Sequence, residues 1–317
     1  MKSAIPFELF YETRLLPTLT ELEGDRKKLV TTLFIYFAIA LAVAIPLWFV
    51  MMFLAIVPFA IAGLTYFMKY NGTIREKKQI FKQEVIGKMI AFLDTNLVYE
   101  SQGYIDSSIY NRSKLFLSDY NKYKGDDLVT GKIKQTAISF CELHTQREVE
   151  TVDSKGHRTK KVNTVFKGIF FTADFNKKFV GETFVLPDAA ERLLGSLGTM
   201  VQKMNFQRPQ LVKLEDPEFE KAFVVHGTDQ VEARYILSTA LMQRILEFSK
   251  KTRRLISISF IDSQIFIAIP ISEDMFEAPL FSSLINYDRI AEYNRYLELC
   301  VGIVETLDLN TRIWTKA

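Results

Sequence analysis

"LAVAIPLWFVMMFLAIVPFA", Leu41 to Ala60, lies inside a forty-residue run from Leu29 to Met68 that contains no Asp, Glu, Lys or Arg. A secretory signal has an apolar core of about 7 to 15 residues and then a small-residue cleavage site. Here the run starts only after 28 residues that already carry helix-like patterning. A helix needs about 20 apolar residues, at about 1.5 Å each, to cross about 30 Å of hydrocarbon. The run therefore holds two spans, placed at 29–47 and 50–68 and joined by a very short turn. The break is expected near Pro46 to Met51, because proline disrupts a helix interior and Trp48 suits a membrane interface. A buried hairpin in a soluble core is the competing reading, and apolarity on all sides over this length argues against it.

The flanks orient the hairpin. Arg26, Lys27 and Lys28 precede the first span; Lys69, Arg75, Lys77 and Lys78 follow the second, and the turn is uncharged. Because Lys and Arg stay on the cytoplasmic side, both termini are expected in the cytoplasm of a bacterial inner-membrane, multi-pass protein, with these basic residues beside anionic lipid head groups.

Composition bounds the rest. In 317 residues, 48% are hydrophobic and 24% charged, so the apolar excess is concentrated in the spans. A net charge of +3 is too small for a nucleic-acid-binding surface. Two cysteines, Cys141 and Cys300, and three scattered histidines, His144, His157 and His226, do not make a disulfide framework or zinc site. Both thiols read as buried core groups.

The chain divides into an N-terminal amphipathic helix (1–28), the transmembrane hairpin (29–69), a juxtamembrane helical segment (70–125) and a cytoplasmic α+β domain (126–317). Phe7, Phe10, Leu15, Leu19 and Leu22 form a helical stripe interrupted by Pro17, which reads as one broken helix, on the membrane surface or packed on the cytoplasmic domain. Its excess of acid favours packing. Phe81, Val85, Met89, Phe92 and Leu93 continue the second span's helix toward Leu97.

From Leu128 the pattern is β, with strands expected at 137–144, 164–175, 181–186, 210–214, 221–225, 255–260 and 264–270. "REVETVDSKGHRTKK" (Arg147 to Lys161) reads as the exposed end of a long hairpin or a mobile loop. Helices are expected from the Asp188 cap through Met204, over 230–250 with a break near Ser238, and over 287–307 with a stripe of Ile290, Leu297, Val301, Val304 and Leu307. Strands come in runs, so the fold class is α+β with a mainly antiparallel sheet and a C-terminal helix.

Chemistry-bearing motifs are sparse. "LLGSLGTM" (Leu193 to Met200) lacks the Gly-Lys-Ser/Thr of a phosphate loop, and there is no HExxH, GxSxG or paired CxxC. "HGTDQVEARYIL" gathers His226, Asp229, Glu232 and Arg234. These groups serve acid–base chemistry only if they converge in a cleft; otherwise Asp229 or Thr228 caps a helix and Glu232 caps it reciprocally. "LEDPEF" (Leu214 to Phe219) reads as strand, proline turn, strand. "KKTRR" (Lys250 to Arg254) suits a helix C-terminus and could also meet phosphate. No catalytic, cofactor-binding or metal-ligating residues are assigned, and no cofactor is expected.

"GDDLVTGKI", "ISFCELH", "VFKGIFFTADFNKKFVGETFVLPD" and "LVKLEDPEFEKAFVVHGTDQVEARYILS", in this order behind a two-span hairpin, resemble an uncharacterised bacterial family known only as a domain of unknown function. The likeness is most specific over Val165 to Leu237. Genes of that family often lie near genes for LemA-type membrane proteins, so the resemblance implies a LemA-like partner; it implies no activity and no catalytic residues.

Two functions follow as expectations. The first is a non-enzymatic membrane-anchored adaptor or scaffold that binds lipids, itself or a LemA-like membrane protein, and no nucleic acid. The second is a membrane-bound enzyme acting on a lipid or phosphate ester through Asp229, Glu232, Arg234 or the Asp174 turn, with a membrane-surface lipid sensor as a further alternative.

Overall fold

Two long helices begin the chain, α1 (Phe7–Val50, 44 residues) and α2 (Met52–Leu93, 42 residues). At 1.5 Å per residue they measure about 66 and 63 Å, roughly twice the hydrocarbon thickness. Both are long and apolar enough to cross a membrane. Pro17 does not break α1 as expected. The turn Tyr11–Leu15 just before it is wound as a π-helix, with the Leu16 N–H donating to the Tyr11 carbonyl. This widened turn makes room for a ring that has no N–H to donate. The break falls at Met51, extended at φ −152° and ψ 113°, within the expected Pro46 to Met51 stretch, while Pro46 itself lies inside the helix, which runs on to Val50. An apolar helix tolerates the one hydrogen bond that Pro46 removes.

The hairpin closes on small and aromatic side chains. Ala40, Ala44 and Ala55 are buried, which lets the backbones approach, and the Tyr66 hydroxyl donates to the Leu29 carbonyl at 3.0 Å. Outward, the helices leave large apolar groups bare: Phe49 is 84% exposed, Phe53 80% and Phe67 60%. Water does not sustain a contiguous apolar surface of this extent on a monomeric protein.

The computed structural model describes residues 5–152, 158–175, 177–188 and 208–310. It divides into two units: Met1–Leu93 with Phe276–Asn294, and Asp94–Met275 with Arg295–Ala317. In the first unit, the stripe of α1 is buried at Phe10, Leu15, Leu19 and Leu22, and that of α2 at Phe81, Val85 and Met89. Phe10 stacks on Phe92 with ring centroids 4.0 Å apart, and Tyr11 meets Tyr287 edge-on at 5.1 Å. The N-terminal helix is thus packed against α2 and the Phe276–Asn294 segment.

The second unit is built on one nine-stranded sheet. Its strands are β1 (Leu97–Glu100), β2 (Lys122–Ile133), β3 (Thr136–Val152), β4 (Arg158–Asp174), β5 (Thr183–Pro187), β6 (Gln210–Leu211), β7 (Phe223–Gly227), β8 (Ser257–Ile261) and β9 (Gln264–Pro270). They lie in the order β1-β2-β3-β4-β9-β8-β5-β7-β6, with every neighbouring pair antiparallel. Strands β5, β8 and β9 are buried almost throughout, so the sheet centre is covered on both faces. On one face Phe166, Phe170, Phe184 and Phe266 cluster with Leu143 and Tyr110, the last from α3 (Ser107–Arg112). Among the described residues the further helices are α4 (Pro217–Ala222), α5 (Gln230–Ile236), α6 (Thr239–Thr252) and α7 (Tyr287–Thr306).

The α+β class, the antiparallel sheet and the C-terminal helix agree with expectation, as does the break between α5 and α6, where the Ser238 hydroxyl caps. Several details differ. The helical segment after the second span ends at Leu93, and β1 and the polar first half of β2 follow it before residue 128. "LEDPEF" holds a helix start, not a strand: the Asp216 carboxylate accepts from Glu218 and Phe219 N–H at 3.0 and 3.1 Å. The strands expected at 210–214 and 221–225 shorten to Gln210–Leu211 and begin at Phe223. "REVETVDSKGHRTKK" does form a hairpin, paired out to Val152 and Arg158. Its tip, residues 153–157 including His157, lies outside the described residues, as do the expected helix beyond Asp188 and "LLGSLGTM".

Gly168 has φ +146°, and a Cβ there would sit 2.1 Å from the Ile269 carbonyl oxygen, across the β4–β9 pair. Gly168→Ala should destabilise the folded state by about 3 kcal/mol through this backbone clash and the strained conformation. Thermal or denaturant unfolding by circular dichroism measures it, and a shift below about 0.5 kcal/mol would show that β4 and β9 separate at no cost.

Candidate functional site

The residues around His226 are brought together, yet each is committed to backbone. Asp229 caps α5, accepting from Val231 and Glu232 N–H at 2.7 and 2.9 Å. Glu232 does not reciprocate as expected; its carboxylate accepts from Val180 and Gly181 N–H at 2.8 and 2.5 Å. The loop before β5 carries those two donors and outcompetes the helix's own cap. Arg234 donates to the carbonyls of Gln230 and Lys213 at 2.9 and 3.0 Å, and His226 Nδ1 lies 3.1 Å from the Pro209 carbonyl. Asp174 is exposed at the end of β4, opposite Gln264. These carboxylates hold loops and a helix start; they do not converge on a shared cleft.

A second constellation, in the first unit, is a charged collar on the polar parts of α1 and α2. Glu23 is only 4% exposed. It accepts from Arg26 at 2.7 and 2.8 Å and from the Leu284 N–H at 2.9 Å. Arg26 also donates to the Leu280 carbonyl at 2.9 Å. The Arg26 hydrogen bond, reinforced by Leu284, pulls the Glu23 carboxyl down to about 2 against the opposing effect of burial. Lys77 and Lys28 reach Asp25 at 2.7 and 3.3 Å, and Lys77 holds that carboxyl below its usual range. Lys82 and Lys78 reach Glu277 at 2.9 and 3.1 Å. Burial tends to raise Glu277, but the two lysines outweigh it and lower the carboxyl.

The seven basic residues expected to flank the membrane therefore divide. Arg26, Lys77 and Lys78 tie α1, α2 and the Phe276–Asn294 segment together. Lys27, Lys28, Lys69 and Arg75 are exposed, with Lys69 over the Tyr70 ring at 5.3 Å. Sequence reading located all seven but not their partners: Glu277 lies some 200 residues from Lys78, whereas the Glu23–Arg26 pair has the i,i+3 spacing of a helix and carried a signal that was overlooked.

A third cluster was missed by sequence reading. Asp126, Asp127 and Glu142 bring carboxylate oxygens within 4.8 Å of one another, the one group among the described residues that could hold a metal ion. A register shift between Asp126 and Val129 places Asp127 at φ +57°, nearly buried, and the Tyr99 hydroxyl donates to it. Glu142 accepts from the Met275 N–H at 3.0 Å. Burial, with Asp126, Asp127 and Asp274 adding repulsion, raises its carboxyl to about 8. With no cation bound, this shift favours a protonated Glu142 at neutral pH. "GDDLV" and "CELH" carry the signal, but only strand pairing places them together. Cys141 and Cys300 are buried free thiols, as expected.

Residues 164–309 match the model of a family described as Protein of unknown function (DUF3137). No curated protein matches the chain. Among solved structures, the crystal structure of the mycobacterial trehalose monomycolate transport factor A, TtfA, is similar with a TM-score of 0.30 and 10% identity, covering 73% of this chain and 97% of that one. A likeness of that size supports no conclusion about fold or role.

Glu23→Gln leaves Arg26 charged, buried and half-satisfied, and should cost about 3 kcal/mol. The stabilisation from the depressed Glu23 carboxyl is present above its ordinary value of 4.5 and is lost as pH falls toward about 2. Melting profiles should therefore show an acid slope in that window that the variant lacks; equal slopes would remove Glu23 from the account.

Glu142 has the opposite sign. Its folded carboxyl keeps a proton to about 8 while an unfolded one ionises near 4.5, so its contribution is whole below 4.5 and declines as pH rises toward 8. Glu142→Gln, which preserves an acceptor for Met275, should flatten the pH dependence of melting across that window and raise stability above it. A variant with an unchanged profile would show that Glu142 is ionised in the fold.

Proposed function

Because residues 164–309 carry a domain of a family without assigned activity, we propose that this protein is a membrane-anchored, non-enzymatic adaptor or scaffold. Its sheet-bearing unit assembles with itself or binds a partner membrane protein, for which the family resemblance suggests a LemA-like chain. The observation that carries this reading is the bare, charge-free apolar surface of α1 and α2, which a bilayer covers and water does not. In the proposed orientation both termini lie in the cytoplasm of a bacterial inner membrane, and Lys27, Lys28, Lys69 and Arg75 meet anionic head groups. The non-enzymatic part is supported by the commitment of Asp229, Glu232 and Arg234 to backbone groups. Anchoring raises the effective concentration of the attached unit, so individually weak contacts suffice for assembly.

The test is the native mass and composition of the particle extracted from its own membranes in mild detergent. A stoichiometric assembly, with itself or a second membrane protein, is expected. A monomer that brings nothing with it would sink the adaptor reading.

A further inference from the structure

We propose that the open edge of β4 beyond Gly168 docks an extended peptide of a partner protein, one in which acidic residues alternate with apolar ones, as an added strand. The proposal rests on the adaptor reading and names the chemistry of the partner.

The edge is a consequence of register. β9 pairs with β4 from Asp174 to Gly168, and the last rung is the Ile271 N–H on the Lys167 carbonyl at 3.0 Å. β4 continues to Arg158, paired with β3 on one side. On its other side, among the described residues, no strand pairs with it there. A groove of about 560 Å³ runs beside this segment and is lined by the four consecutive residues Thr164 to Lys167. Successive strand residues point to opposite faces. Val165 is an extra residue where the register against β3 shifts, and the groove also reaches Ser257, Ala268 and Pro270 of β8 and β9, so it takes in the open edge of β4 together with the sheet face beside it.

The walls select the occupant. Phe116 and Leu255 give apolar contacts, and Arg253 and Arg254 give charge. Arg253 is exposed, held at φ 54° as the cap of α6, and among the described residues it makes no ion pair. Arg254 reaches Glu273 only at 3.9 Å. Farther along the edge, Lys161 is exposed and likewise has no ion pair among the described residues. Lysines on an edge strand also deter indiscriminate pairing, but that role needs neither an apolar wall nor a groove. Main-chain bonds along an edge with alternating side-chain contacts are the recognised mode of strand addition. An acidic–apolar alternation matches the cations and the wall together.

The experiment uses the full chain in uncharged detergent and a fluorescent peptide of about eight residues alternating Val and Glu, long enough at about 3.3 Å per residue to reach from Lys167 past Lys161. Two control peptides replace Glu by Lys or carry N-methyl groups on every second amide. The Val-Glu peptide should bind, the Lys peptide should not, and N-methylation should abolish binding by removing the strand's donors. Arg253→Glu with Arg254→Glu should weaken binding at least tenfold, and Lys161→Glu, farther from the α6 cap, should weaken it independently.

Absence of binding, or indifference to charge reversal, overturns the proposal. An N-methylated peptide that binds equally, or competition by inorganic phosphate alone, makes the groove a general anion site and overturns it as well. Self-association abolished by the same reversals, without peptide binding, would assign the edge to a second copy instead. The native-mass measurement reads the adaptor function separately, so failure here leaves that result standing.

Discussion

The Glu23 carboxylate fixes the base of the helical unit. A carboxylate this far out of water is tolerable only if fully partnered, and it takes both an arginine fork and a backbone N–H. Arg26 spends its remaining reach on the Leu280 carbonyl. One short charged segment thereby gathers two stretches of chain about 260 residues apart in sequence. Glu277 repeats the arrangement from the other direction, drawing in Lys78 and Lys82 of α2. Removing either acid leaves cations crowded at the hairpin base, so the collar acts as a set of coupled pairs.

The sheet unit spends its carboxylates in the same way. Asp106, Asp216 and Asp229 each accept from N–H groups at a helix start, and Glu232 serves the loop before β5. Among the described residues, the Asp126, Asp127 and Glu142 group sets like charges against each other, and with no cation bound the Glu142 carboxyl is raised to about 8. Its geometry comes from the shifted register of β2 against β3, which swings Asp127 inward.

What the sequence revealed depended on the range of each signal. The spans, the α6 and α7 stripes, the Ser238 break and the central strands β4, β8 and β9 were legible because their patterns are local and strongly apolar. β1 and the start of β2 were not, since "LVYE" is short and "KYKGDD" is polar on a half-exposed strand. Pro17 misled because proline forbids one hydrogen bond, not a helix, when a wider turn absorbs the loss. At the candidate sites, the seven basic residues were visible; Glu23 and Asp25, three residues from Arg26 and Lys28, carried a helical pairing signal, while the partnership of Lys78 with Glu277 did not. Asp229 was legible as a cap, but no sequence spacing relates Glu232 to Val180. Contacts between distant residues are decided by folding, and one sequence offers no trace of them.

The double use of the basic residues is consistent with the proposed topology. Orientation is set mainly by Lys and Arg close to the spans, with acidic residues contributing little. It is also set while the hairpin enters the bilayer, when Glu277 has yet to be synthesised. In the proposed topology Lys78 is then still without Glu277, whereas Asp25, the partner of Lys77, already stands in the chain. Once the chain is complete, Lys78 meets Glu277 at 3.1 Å beside the Lys77–Asp25 pair at 2.7 Å. Under that proposal, charge that directs insertion is later engaged in the collar, while Lys27, Lys28, Lys69 and Arg75 are the cations left to face lipid.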